Sequence, residues 1–350
     1  MHTVAEAGSP SLQTGASTPA RVAVAGATGY TGQELLRLLS RHPGVSLTAA
    51  MSSGTTASRA LPALARLWKG DITPLSPATL READVVFLAL PDAAAAALAP
   101  SLVDAGVRVI DLSGAFRLTN TAARARWYPE THRVPAGLAY GLTETARTAV
   151  AVARLVANPG CYPTASLLAL TPLAAAGLLA PGTDVIVDAK SGVSGAGKTP
   201  SERTHFSECH GSLAAYAVFG HRHGAEIEEG LSSASGGEHA LNFVPHLVPL
   251  DRGILATIYV RFEPGTTEDT LGSVYQQAYS SAPFVRLVGS SLPEIKHVAH
   301  TNFCDIGWRV DASGRGVLVS VIDNLLKGAS GQAVQNFNVM RDIDERTGLW

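Results

Sequence analysis

Cysteine is scarce in this chain. Its three residues, Cys161, Cys209 and Cys304, are odd in number and far apart, a pattern that excludes a disulfide framework and points to free thiols in a reducing compartment. Aromatic residues make up only 6% of the 350 positions, and the formal net charge is −2. Charge so near neutral offers no polyanion-binding surface, so nucleic acid is not an expected partner. No apolar run is long enough to span a bilayer, and the N-terminus has no basic start followed by an apolar core. No repeat period, charge block or low-complexity linker interrupts the chain. His205, Cys209, His210, His221 and His223 cluster, but no Cys-x-x-Cys or His-x-x-x-His pair stands at ligand spacing, so no metal site is expected. A cytoplasmic chain without a membrane segment is left, long enough for two domains and a large core. Residues 1–20, rich in Ser, Thr, Ala and Gly, read as a disordered tail.

What is present is organised around Ala157-Asn-Pro-Gly-Cys-Tyr-Pro-Thr-Ala165. A strand-like run over 151–156 leads into Asn158-Pro159-Gly160, which is turn chemistry. From Thr164 the sequence reads as a helix, with Pro163 in its first turn. Cys161 therefore falls on a tight strand-to-helix corner facing unpaired helix-terminal amides. Those amides and the helix dipole favour the thiolate, so the thiol pKa is expected to fall and the sulfur to act as a nucleophile. A lone cysteine is more often a small apolar corner-filler; its place between Gly160 and Tyr162 at a helix start favours the nucleophile.

Before this corner, Arg21–Ala25 is a short buried-type strand. It runs into Gly26-Ala-Thr-Gly-Tyr-Thr-Gly32, and 33–40 read as a helix. Strand, glycine turn and helix form the context in which a pyrophosphate sits on a helix N-terminus, although the spacing G-x-x-G-x-x-G is not the commoner fingerprint. The second strand, Val45–Met51, should end where an NAD enzyme keeps a carboxylate for the ribose. Here Ser52, Ser53 and, further on, Arg59 stand instead, which suits a 2′-phosphate and favours NADP. Strands over 84–90 and 107–110 flank an alanine-rich helix over 93–105. Pro91-Asp92 and Asp111–Arg117 leave the carboxyl ends of these strands, where ligands sit in open α/β sheets. Arg117 could clamp a phosphate or carboxylate, or make an ordinary ion pair. The pattern predicts a doubly wound, Rossmann-type parallel sheet.

After the cysteine helix, a strand over 184–189 ends in the glycine-rich loop Lys190–Lys198, which can bring backbone close to a ligand. Residues 241–262 are β-rich, 267–280 read as a helix, and 302–310 and 316–322 as strands. This predicts an α+β second domain with a largely antiparallel or mixed sheet, its exposed face suited to oligomerisation. The expected division is an NADP-binding domain over 21–160, a catalytic and oligomerisation domain over 161–328, and a C-terminal helix within 329–350 returning to the first. His221-Arg222-His223 precedes a helix and offers the thiol a proton acceptor and donor.

From about Arg21 to its end, the chain resembles the N-acetyl-γ-glutamyl-phosphate reductases, in the longer of the family's two forms. The resemblance rests on Gly26–Gly32, Asp111–Leu118, Asn158–Thr164, Ser191–Gly197, His221–Ile227 and Ile322–Asn336. Where that family usually reads Leu-Ser-Ala-Asp-Phe-Arg, this chain reads Leu112-Ser-Gly-Ala-Phe-Arg117, and an acidic contact at Ala115 is missing. Similarity in fold and logic to aspartate-semialdehyde dehydrogenase follows. The resemblance implies attack of Cys161 on an acyl phosphate in arginine biosynthesis, reduction of the thioester by NADPH, and a dimer or tetramer. It makes His221 the acid/base. It assigns Gly26, Thr28, Gly29, Tyr30, Thr31, Gly32, Ser52, Ser53, Arg59, Ser194, Gly195 and Asn324 to the cofactor. Ser113, Arg117, Asn158, Ser191, Gly192, His223 and Glu226 go to the small-molecule substrate. Two alternatives remain: a reductase of carrier-protein-bound aminoadipyl phosphate, for which the scattered Arg and Lys supply no basic rim, and a non-catalytic dinucleotide sensor, which would need neither Cys161 nor His221.

Overall fold

The computed structural model describes residues 18–52 and 60–350. The tail up to residue 17, and Ser53 and Arg59, lie outside the described residues. Among these residues the strands form two seven-stranded sheets. The first is parallel throughout, in the order β3-β2-β1-β4-β5-β7-β6. Its strands are β1 (Ala20–Ala25), β2 (Val45–Ser52), β3 (Ile72–Pro74), β4 (Val85–Leu88), β5 (Arg108–Asp111), β6 (Leu138–Tyr140) and β7 (Leu155–Ala157). Val85–Leu88 is buried on both faces, as a strand covered by helices on each side must be. Ala20, expected in the tail, already pairs with Val45 in the sheet.

The second sheet is mixed, in the order β12-β13-β14-β11-β8-β10-β9. It comprises β8 (Val185–Gly192), β9 (Ala214–Ala215), β10 (Leu241–Val248), β11 (Ile254–Arg261), β12 (Val285–Gly289), β13 (Cys304–Val310) and β14 (Arg315–Ile322). Lys190, Ser191 and Gly192, expected in the glycine-rich loop, complete β8, and a 3₁₀ turn over Val193–Ala196 follows. The helices Cys161–Ala175, Arg222–Ser235 and Glu268–Tyr279 share one core with this sheet's inner face. The last helix, Gly331–Met340, begins directly after a π-helical turn, Leu326–Ser330. Ala333, Val334, Phe337 and Met340 pack in the core that holds Val22, Val24, Leu36 and Phe87 of the first sheet's side.

The expected strand over 151–156 is only half a strand. Helix Thr143–Val152 takes its first two residues, and β7 starts at Leu155. A short apolar run does not by itself distinguish a helix end from a strand, and the break falls at Ala153, which is extended.

The cysteine helix is apolar all round and almost wholly buried, which suits a central element. Pro172 interrupts it and supplies no N–H for the Leu168 carbonyl four residues back. Tyr279 Oη donates to that carbonyl at 2.6 Å, and Tyr275 Oη donates to the next, Ala169, at 2.6 Å. No helix among the described residues is long and apolar enough to cross a membrane.

Tyr279→Phe leaves the Leu168 carbonyl buried without a donor and should lower stability by about 1–3 kcal/mol. Denaturant unfolding measures this, with turnover per folded molecule unchanged. A wild-type midpoint would mean that another donor satisfies the carbonyl.

Candidate active site

β7 ends at Ala157, Asn158-Pro159-Gly160 turns the chain, and Cys161 is the first residue of the helix. Gly160 is needed for close approach: a Cβ there would lie 2.4 Å from His223 Nε2 and 2.8 Å from Arg117 Nη1. Cys161 is half-buried and unpaired. Its pKa does not fall as expected from the helix terminus. Burial pushes the thiol up to about 11, against the pull of the Arg117 charge and the Tyr162 amide, and with the Glu226 charge adding to the rise. Loss of solvation outweighs the local dipole here.

The guanidinium of Arg117 is clasped by protein. Nε donates to the Asn158 carbonyl at 2.8 Å and Nη2 to that of Leu112 at 2.8 Å. Nη1 lies 3.4 Å from Glu226 Oε2 and 3.3 Å from His223 Nε2. An arginine N–H can only donate, so His223 Nε2 accepts and the ring proton sits on Nδ1, which is buried with no partner. Burial opposes the Arg117 charge, but Glu226 together with Tyr128, Tyr140 and Asp111 more than offsets it and keeps the guanidinium charged. Glu226, itself buried, accepts at Oε1 from the Gly160 amide at 2.9 Å and from Tyr140 Oη at 2.8 Å.

His221 caps the Arg222–Ser235 helix, its Nδ1 accepting from the His223 amide at 3.1 Å. In the neutral ring the proton therefore lies on Nε2. The ring packs edge-on to Tyr162, Tyr216 and Phe243. Burial and then the Arg222 charge lower its pKa to about 4. His223 falls well below its ordinary value, chiefly through burial, with His221 and the two arginines adding to it.

One cleft of about 490 Å³ joins these groups to the glycine loop. Of the expected residues, Gly29, Tyr30, Thr31, Gly32, Ser113, Arg117, Cys161, Ser194, Gly195, His221, His223 and Asn324 line it. Gly26, Thr28, Ser52, Asn158, Ser191, Gly192 and Glu226 do not. Gly26 shapes the turn from beneath, at φ 90° with a Cβ position only 2.0 Å from the Ala89 carbonyl. Helix Tyr30–Leu39 thereby aims its N-terminus into the cleft, a geometry that fits a dinucleotide pyrophosphate. Asn158, expected at the substrate, bonds instead to Ala329 O at 3.2 Å and Asn336 Nδ2 at 3.1 Å. Glu226 likewise stands behind the corner. Ser52 is buried at the end of β2, while Ser53 and Arg59 lie outside the described residues. Ser113 Oγ donates to Asp111 at 2.7 Å, and burial raises that carboxyl to about 6.

The residue-by-residue reading missed three side chains. Arg222, whose guanidinium meets Asp92, reaches the cleft rim and was passed over between two histidines. Lys198 Nζ donates to the Thr28 carbonyl at 3.3 Å from across the cleft. Tyr140 had no local signal, because its role depends on Glu226, 86 positions away. Among the described residues no group of acidic, His and Cys side chains could hold a metal ion.

Comparison with known proteins agrees with this geometry. Residues 21–153 match the family model described as semialdehyde dehydrogenase, NAD binding domain, and 161–324 match semialdehyde dehydrogenase, dimerisation domain. The chain is similar to aspartate semialdehyde dehydrogenase II from Vibrio cholerae, solved in complex with ASA (TM-score 0.72, 18% identity, covering 93% of this chain and 99% of that one). It is also similar to aspartate semialdehyde dehydrogenase with NADP from Candida albicans (TM-score 0.69, 17% identity, covering 93% and 99%). At such identity these show the shared fold. Sequence relatives lie much nearer. The N-acetyl-gamma-glutamyl-phosphate reductases of Syntrophobacter fumaroxidans and Brevibacillus brevis are each 46% identical, across 94% of this chain and 97% of theirs. A nicotinamide-dinucleotide oxidoreductase is therefore described, and by identity across nearly its whole length the chain belongs to the N-acetyl-gamma-glutamyl-phosphate reductase family.

Proposed function

We propose that the protein reduces N-acetyl-L-glutamyl 5-phosphate to N-acetyl-L-glutamate 5-semialdehyde with NADPH, through a thioester on Cys161, as a step of arginine biosynthesis. The observation that carries this reading is the single cleft lined by Cys161, His221 and the N-terminus of the glycine-loop helix. The sulfur attacks the acyl carbon; the C–S bond forms, the C–O bond to phosphate breaks, and the thiol proton leaves with hydrogen phosphate. When bound, the dinucleotide supplies the hydride that takes the thioester carbon to the aldehyde level. Collapse of the thiohemiacetal breaks the C–S bond and takes up one proton. His221 is neutral at working pH with its proton on Nε2, so it starts as a hydrogen-bond donor to the acyl oxygen; the thiol proton passes to the departing phosphate, and His221 acts as acid in the collapse by relaying a solvent proton. Arg117 holds the substrate's anionic end, and His223 and Ser113 line the cleft beside it. Ser194, Gly195 and Asn324, which share the cleft with Tyr30 and Thr31, would hold the nicotinamide end.

We assign the nucleotide to residues 21–160, catalysis and oligomerisation to 161–328, and the closing helix to 329–350. Ile186 and Tyr259, paired across β8 and β11 and both exposed, support a homo-oligomer through the outer face of the second sheet. A cytoplasmic location accords with three unpaired thiols.

Turnover of free N-acetylglutamyl phosphate, followed by NADPH absorbance, tests the assignment against the carrier-bound alternative. Cys161→Ser should abolish it and Cys209→Ser should leave it intact, since Cys304 is buried against Ser320 and Cys209 lies in a short exposed helix. Retained activity in Cys161→Ser would sink the reading.

With no carboxylate at the end of β2, NADPH should exceed NADH in kcat/KM by roughly ten- to a hundred-fold, the worth of one or two charge-assisted hydrogen bonds. Equal efficiency would reject the 2′-phosphate assignment.

In the ligand-free protein, alkylation of Cys161 by iodoacetamide should climb with pH towards about 11, because only the thiolate reacts. With its pKa lowered to about 4, His221 is neutral near pH 7, so no imidazolium-supported plateau should appear near neutrality. His221→Asn keeps a helix cap and should leave this curve in place while turnover drops by roughly a hundred- to ten-thousand-fold. A plateau below pH 7 that vanishes in His221→Asn would show a standing ion pair instead.

A further inference from the structure

Beside the cleft lies a charged pair with no exposed side-chain surface, Lys327 and Glu144. Lys327 Nζ donates to Glu144 Oε1 at 2.6 Å and to Gln335 Oε1 at 2.7 Å. Gln335 Nε2 donates to the same Glu144 oxygen at 2.9 Å and to Glu345 at 3.0 Å. Burial opposes the Glu144 charge, yet the ammonium, with hydrogen bonds from Lys327 and Gln335, holds that carboxyl below its ordinary range. A buried ion pair rarely adds net stability over apolar packing of the same shape. Its effect is better sought in what it holds in place.

It holds the π-turn. Gly328 and Ser330 donate to carbonyls five residues back, those of Asp323 and Leu325, at 2.9 Å each. Turns of this kind recur at functional sites, and this one, with Asn324 just before it, is bonded to or packed against segments that build the cleft. Gly328 backs the nucleophile so closely that a Cβ there would lie 2.7 Å from Cys161 Cβ. The Ala329 carbonyl accepts from Asn158 at 3.2 Å. Ser330 Oγ donates to the Thr31 carbonyl in the glycine-loop helix at 2.9 Å. Just before the turn, Asn324 donates to Ser194 Oγ at 3.0 Å and accepts from the Gly253 amide at 2.7 Å. Lys327 is the turn's charged anchor, and Glu144 fixes it from a helix of the other sheet's side.

We propose that the Lys327–Glu144 pair is a positioning device, setting the register of the π-turn that seats Cys161 against the dinucleotide loop. The proposal deepens the reductase reading and rests on it for its kinetic arm. The test uses the full-length protein and the double variant Lys327→Met with Glu144→Gln, which removes both charges without stranding either. Unfolding midpoint, kcat, both KM values and the iodoacetamide rate at the Cys161 peptide, read by mass spectrometry at fixed pH, are compared with wild type. A midpoint near wild type with kcat lowered roughly ten- to a hundred-fold, KM values little changed and an altered alkylation rate is the expected result. Wild-type kcat and alkylation in a folded double variant would overturn it. Should that variant not fold, Lys327→Arg decides, since it keeps the charge but changes the reach: unchanged kcat and alkylation overturn the proposal, and loss of both at retained stability supports it. If wild type itself fails to turn over N-acetylglutamyl phosphate, the reductase reading falls. The alkylation arm still tests the positioning, because it needs no substrate.

Discussion

The site depends on one buried ion pair, Arg117 with Glu226. Arg117 comes from the loop after β5, Glu226 from the Arg222–Ser235 helix, and between them lies the Gly160–Cys161 corner. Arg117 holds that corner by the Asn158 carbonyl and Glu226 holds it by the Gly160 amide. Three segments distant in sequence thus converge on two side chains, both nearly devoid of solvent. Removing either partner would leave the other charged and buried, at a cost of about 3–5 kcal/mol. Removing both would free the corner from its two clasps. The pair's contribution therefore lies less in stability than in where the sulfur stands.

The same pair acts on the thiol without deciding its state. Arg117 draws the Cys161 pKa down and Glu226 pushes it up, so the two oppose each other at the sulfur. Burial then decides, and the resting group is a neutral thiol beside a neutral imidazole. For the anionic substrate proposed above this has a physical consequence. A standing thiolate would repel an anion on entry, whereas a neutral thiol adds no such charge to the cleft. A thiol kept protonated at rest is also slower to oxidise than a low-pKa thiolate.

How much of this was legible depended on the range of the interaction. The glycine loop and the cysteine corner are encoded in fewer than ten consecutive residues each, in turn and cap chemistry, and were readable directly. The alternation of strands and helices gave the parallel sheet for the same local reason. Residues 151–156 misled because five apolar residues around Arg154 fit a helix end as well as a strand. Glu226 and Asn158 lie in motifs that suggest substrate ligands, yet each is held by protein partners that only folding brings near. Nothing in a sequence marks Lys327, whose carboxylate is 183 positions away. The thiol pKa failed likewise: the helix terminus is a local feature, whereas burial comes from the whole assembly.

Neither sheet alone could make the cleft. The first supplies the carboxyl ends of its parallel strands, with the glycine loop, Asp92 and Arg117. The second side supplies the Ser194–Lys198 loop, the histidines and the π-turn. Bonds crossing between them surround the opening: Lys198 to the Thr28 carbonyl, Ser330 to that of Thr31, Arg222 to Asp92, and Arg252 to Glu34 at 2.5 Å. Glu34 stands on the glycine-loop helix itself, and Arg252 and Arg37 together keep its carboxyl below the ordinary range despite burial. The glycine-loop helix is thus tied at Thr31 to Ser330 of the π-turn and at Glu34 to Arg252, between β10 and β11. The chain returns its last helix to the first sheet's core for the same mechanical reason: the π-turn is held from both ends, by β14 on one side and by Phe337 packed against Phe87 on the other.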